Sequence, residues 1–95
     1  MGNNNIVRNE YLNLFNALEE LGDTIRSSDK LSDNEKADLQ SDIETIKSQL
    51  GKSTPDNKII KTAWERIKET IQRFPEFADK ISKVIFLIKI FTGEP

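Results

Sequence analysis

Val7, Tyr11, Leu14, Leu18, Leu21 and Ile25 are spaced by four and three residues, the interval that keeps side chains on one stripe of an α-helix. The spacing predicts a first helix over roughly residues 5–27. Phe15 widens the stripe on one side, while Ile6 and Leu12 lie off it, so this helix is expected to touch more than one neighbour. The polar run Ser27-Ser28-Asp29 breaks the period. Ser32 followed by Glu35 is a capping box, in which each side chain satisfies a free amide of a helix's first turn, so a second helix is predicted from Asp33. Its stripe is Leu39, Ile43, Ile46 and Leu50, and Gly51 stands where helices favour a left-handed residue.

Thr54-Pro55 reads as an N-cap followed by a residue pre-set for the first helical position. A third helix over residues 55–74 follows, with Ile60, Ala63, Trp64, Ile67, Ile71 and Phe74 as its stripe. The short link over 51–55 makes helices two and three an antiparallel hairpin. Pro75 forces the residue before it out of helical geometry but suits the start of a new helix, predicted over 76–91. Phe77, Ile81, Val84, Ile85, Ile88 and Phe91 form its broad face, while Phe86 and Ile90 project from the opposite side among Asp79 and Lys83. That second apolar pair suits a helix covered on two sides.

No repeat or strand-like alternation is present, so the predicted fold is all-α: one domain over residues 1–95, a small up-down bundle of four helices, with residues 1–4 a polar lead-in. The broad faces of helices three and four are expected at its centre. The predicted core comprises Leu14 and Leu18; Leu39, Ile43 and Ile46; Ile60, Trp64, Ile67 and Ile71; and Phe77, Ile81, Val84 and Ile88. Leu12, Phe86 and Ile90 are left over as a candidate partner interface. Trp64 has two readings: core filler, or the kind of large aromatic that anchors interfaces.

Composition removes whole classes of chemistry. The chain has no Cys and no His, which excludes a disulfide framework, thiol nucleophiles, thiolate zinc sites and Ser-His triads. Catalysis would fall to carboxylates, lysines, Ser or Tyr11. Asp38 and Asp42, four apart, could hold Mg²⁺ or act as an acid–base pair, but a solvated helix face is the commoner meaning of such spacing. Lys52-Ser53-Thr54 lacks the glycine spacing of a phosphate loop, and Asp56-Asn57-Lys58 is first-turn charge favoured by the helix dipole. No catalytic, cofactor or metal residue is expected.

Residues 1–50 carry five basic and ten acidic side chains, and residues 51–95 carry nine basic and six acidic. Either the halves pack against each other or the basic half meets an acidic partner. Lys58, Lys61, Lys68 and Arg73 make helix three the best nucleic-acid element, yet Glu65 and Glu69 are interleaved, with Glu69 to Arg73 in the favoured pairing orientation. Specific nucleic-acid binding is therefore not expected. The apolar run over 84–91 is too short to cross a bilayer and contains Lys89. With Lys80 and Lys83 it could lie at an interface, although Phe86 and Ile90 spoil a clean polar face. The N-terminus has no signal-peptide pattern, and Ile6 breaks a myristoylation motif at Gly2. A cytoplasmic location is the expectation.

From Leu31 to Ile71 the residues Leu31, Asp38-Leu39, Asp42-Ile43-Glu44-Thr45-Ile46, Gln49-Leu50, Pro55, Ile59-Ile60-Lys61, Ala63-Trp64 and Ile67 form a pattern. It resembles an accessory helical hairpin of bacterial phage-defence and abortive-infection proteins. The resemblance implies a non-catalytic module that organises or links an effector. The expected function is thus a non-enzymatic helical protein–protein interaction module, self-associating as a homodimer or docking a partner helix, in a bacterial defence or regulatory system. The alternative is a small regulator that meets a membrane surface or nucleic acid through its basic C-terminal half.

Overall fold

The computed structural model describes residues 11–93, so the expectations for residues 1–4, Ile6, Val7 and the start of the first helix lie outside the described residues. The chain folds as four helices, α1 (Leu12–Ser27), α2 (Asp33–Leu50), α3 (Asn57–Ile71) and α4 (Ala78–Thr92), with a 3₁₀ turn at Pro75–Phe77. The all-α bundle is as predicted.

Leu14, Ala17, Leu18, Leu21 and Ile25 of α1 meet Leu39, Ile43, Ile46 and Leu50 of α2 and Ile60, Ala63, Trp64, Ile67 and Ile71 of α3 in one buried core, joined by Leu31, Phe77, Val84 and Ile88. Every predicted core residue is buried except Ile81, which is half-buried against the cluster. The capping box forms as the sequence requires: Glu35 N–H donates to Ser32 Oγ (3.1 Å) and Ser32 N–H donates to Glu35 Oε1 (2.9 Å).

Several boundaries differ from the sequence expectation. Asp56, not Thr54, caps α3, its carboxylate accepting from the amides of Lys58 (2.9 Å) and Ile59 (3.3 Å). The cause is tertiary: the buried Gln49 side chain accepts from Asp56 N–H (2.8 Å) and so sets where the connection ends. Gly51 is not left-handed (φ −86°). The last turn of α2 instead tightens, with the amides of Gly51 and Lys52 donating to Ser48 and Gln49 carbonyls, which satisfies those carbonyls without a positive φ. The left-handed cap belongs to Gly93, φ 75°, at the end of α4. Around Pro75 the expected direct passage from helix three to helix four is replaced by the 3₁₀ turn, and α3 ends at Ile71.

The broad faces of α3 and α4 are not the centre of the bundle. α1 packs against both α2 and α4, and α2 packs along α3, whereas α3 and α4 approach each other less closely. Lys61, Glu65 and Lys68 on α3 and Lys89 on α4 line the gap between them, with Lys68 bonded to Glu65 (3.2 Å). α4 buries only Val84 and Ile88.

Polar side chains tie the elements. Gln40 Nε2 donates to the Gly22 carbonyl (2.9 Å), and Lys36 Nζ donates to the Arg26 carbonyl (3.0 Å) at the end of α1. The mostly buried Ser28 accepts from Lys30 N–H and donates to Glu76 Oε2 (3.2 Å), linking the α1–α2 connection to the turn before α4.

Candidate interaction surface

In a helix successive residues turn by about 100°. Val84 and Ile88 face the core, so Phe86 and Ile90, each two residues further on, must face away. Phe86 is 63% and Ile90 62% exposed. The same geometry on α1 turns Leu12 outward from Leu14, and Leu12 is 38% exposed. Among the described residues, the expectation that α4 is covered on two sides is therefore not met, since Phe86 and Ile90 on its outer face stay largely exposed.

Phe86 sits at a groove between α1 and α4, lined by Asn13, Asn16 and Glu20 on one side and by Lys83 and Leu87 with Phe86 on the other. One end is closed by Lys83 Nζ against Glu20 Oε1 (3.4 Å). Further along the two helices the Tyr11 and Phe91 rings meet edge-on, with centroids 4.8 Å apart and planes at 72°. Leu12 continues the α1 stripe of Asn16 and Glu20, and Ile90 continues the α4 stripe of Phe86. The three predicted interface residues thus belong to the adjoining outer stripes of α1 and α4, with Phe86 the one that lines the groove itself. Sequence reasoning missed Ile59, 39% exposed on α3; the available signal was its position beside, rather than on, the stripe through Ile60.

The other candidates resolve into structural contacts. Asp42 accepts from Arg66 Nε (3.2 Å) and Nη2 (2.8 Å), tying α2 to α3, and this carboxylate raises the Arg66 pKa. Among the described residues no group of three or more carboxylates stands together as a metal site. Arg73 does not pair with Glu69 as predicted. It reaches Glu35 (2.8 Å) instead and lies over the Phe74 ring, because the fold brings the start of α2 beside the end of α3. The Glu35 pKa is lowered, first by the Ser32 amide that donates to it and then by Arg73. Lys68 pairs with Glu65 (3.2 Å). Lys47 bonds to Glu19 and Glu44 and stands over the Phe15 ring. Burial pushes the Lys47 pKa down, but the two carboxylates outweigh it and the net shift is upward.

Trp64 is 4% exposed, which places it in the core wall and removes its reading as an exposed anchor. No helix among the described residues is long and apolar enough to cross a membrane. No protein-family model matches the chain, and no match is found among curated proteins or among solved structures.

Proposed function

We propose that this chain is a non-enzymatic helical interaction module that self-associates through the outer faces of α1 and α4, with Leu12, Phe86 and Ile90 at the contact. The observation that carries this reading is the exposure of Phe86 and Ile90 one turn apart on α4, beside a groove that Phe86 helps to line. Two large apolar side chains on adjoining turns form a contiguous patch, the surface feature that association removes from water. The occupant is a second copy. Glu20 and Lys83, each half-exposed at the groove end, give the patch a rim of both charges, and a two-fold contact allows each to meet its opposite on the other copy. The resemblance of the α2–α3 hairpin supports the wider setting of a cytoplasmic accessory component in bacterial defence or regulation.

Solution mass by light scattering across a concentration series, at low and high salt, tests the proposal. Self-association gives a mass of two chains or more that persists at high salt, since apolar burial is not screened. The double variant Phe86→Ser with Ile90→Ser is expected to keep wild-type helicity by circular dichroism and to remain monomeric. A wild-type chain that is monomeric throughout the series would overturn self-association, and loss of helicity in the variant would reassign these residues to the core.

A further inference from the structure

Among the described residues Phe86 is the one exposed aromatic side chain: Trp64 and Phe77 are buried, and Tyr11, Phe15, Phe74 and Phe91 are half-buried against the core. The hollow beside it, between α1 and α4, measures about 520 Å³, with Asn13 and Asn16 on one wall and Leu87 on the other. A cavity of about 150 Å³ holds a benzene ring, so this groove has room for a phenyl side chain. A projecting ring and a hollow that admits one thus adjoin on a single face of the chain.

Their placement on one face decides how copies can meet. In a two-fold contact both copies present the same patch, so whatever one inserts into the other it also receives. Ring and groove on one patch are satisfied together in a dimer, whereas on opposite faces they would join copies head to tail and leave open ends. We infer that the Phe86 ring of each copy enters the α1–α4 groove of the other, and that the two insertions close the assembly at two chains. This exchange rests on the self-association proposed above and assigns what fills the groove. The incoming ring lies between Leu87 and the Asn13–Asn16 wall, with the Glu20–Lys83 pair at the groove end as its charged rim.

Asn16 separates this exchange from association through a featureless apolar patch. It is exposed, so Asn16→Trp leaves the core untouched while filling the groove. On a featureless patch the added indole enlarges the apolar area and strengthens association; with an exchange of rings it blocks entry. The test is solution mass by light scattering for the wild type, Phe86→Ala, Asn16→Trp and an equimolar mixture of the two variants, with helicity checked by circular dichroism. The wild type is expected at two chains and each variant alone at one. The mixture is expected to recover a mass of two, because Asn16→Trp keeps its ring and Phe86→Ala keeps an open groove. A wild type that stays monomeric would overturn self-association itself. A dimeric wild type with Asn16→Trp equally dimeric would overturn the exchange alone and leave the apolar contact standing. A mixture that stays monomeric, or wild-type masses that grow beyond two chains, would also overturn it. Should Asn16→Trp lose helicity, Asn13→Trp on the same wall takes its place in the comparison.

Discussion

Phe77 and Phe86 are nine residues apart in chemically similar surroundings of sequence, yet the structure assigns them opposite energetic roles. Phe77 is fully buried and meets Phe74 edge-on at 6.2 Å between centroids, whereas Phe86 is 63% exposed. Burying a Phe removes on the order of 150–250 Å² from water, which at about 25 cal/mol per Å² is roughly 4–6 kcal/mol as an upper limit. Measured Phe→Ala losses in cores run about 3–5 kcal/mol. Only a little over a third of Phe86 is covered, so the same arithmetic leaves at most about 2 kcal/mol for that side chain. Phe77→Ala is therefore expected to lose about 2 kcal/mol more than Phe86→Ala, a large fraction of the roughly 5–14 kcal/mol available to a domain of this size. Urea unfolding followed by circular dichroism measures both, at protein concentrations low enough that the midpoints no longer depend on concentration. If Phe86→Ala costs as much as Phe77→Ala under those conditions, the assignment of the α4 outer face to the surface is wrong.

Other outcomes follow from single contacts. Ser32→Ala removes one half of the capping box at the start of α2 and is expected to cost about 1 kcal/mol in urea unfolding; no loss would mean that water replaces the cap without penalty. Gln49→Leu keeps the volume but deprives Asp56 N–H of its acceptor, and about 1–2 kcal/mol should be lost, with wild-type stability showing that the α2–α3 connection is set by something else. The pH dependence isolates Glu35. Its carboxylate is held below the usual glutamate range in the folded chain, so it contributes stability above the unfolded-state pKa that is lost as pH falls through the folded-state value. Glu35→Gln keeps the capping acceptor but loses the charge facing Arg73, so its urea midpoint should fall less steeply than the wild type's between about pH 6 and about pH 3. Parallel slopes would show that Glu35 is not the group responsible.

How much was legible depended on the range of the interaction concerned. Ser32 and Glu35 sit three apart, close enough to satisfy one another whatever the rest of the chain does, and α2 begins where they place it. The outward direction of Phe86 and Ile90 follows from helical rotation once Val84 and Ile88 are known to face inward. The start of α3 was misplaced because Thr54-Pro55 and Asp56 are both reasonable local signals, and the choice rests with Gln49, a residue of the preceding helix. Arg73 had an acceptable partner one turn back in Glu69 and took Glu35 instead, since only folding brings residue 35 within reach. The buried Trp64 Nε1, which finds no hydrogen-bond partner among the described residues, was invisible for the same reason: whether a donor is satisfied depends on every element around it.

What this sequence determined by itself is therefore the helical period, the inward and outward stripe of each helix and the caps made by neighbouring residues, all of them consequences of backbone geometry over a few residues. Tertiary structure alone decided which stripes meet. Four-three spacing makes every one of the four helices able to pack against any other, and the pairing of α1 with α2 and α4, with α3 and α4 further apart, is selected only when the side-chain volumes of all four stripes compete for the same space.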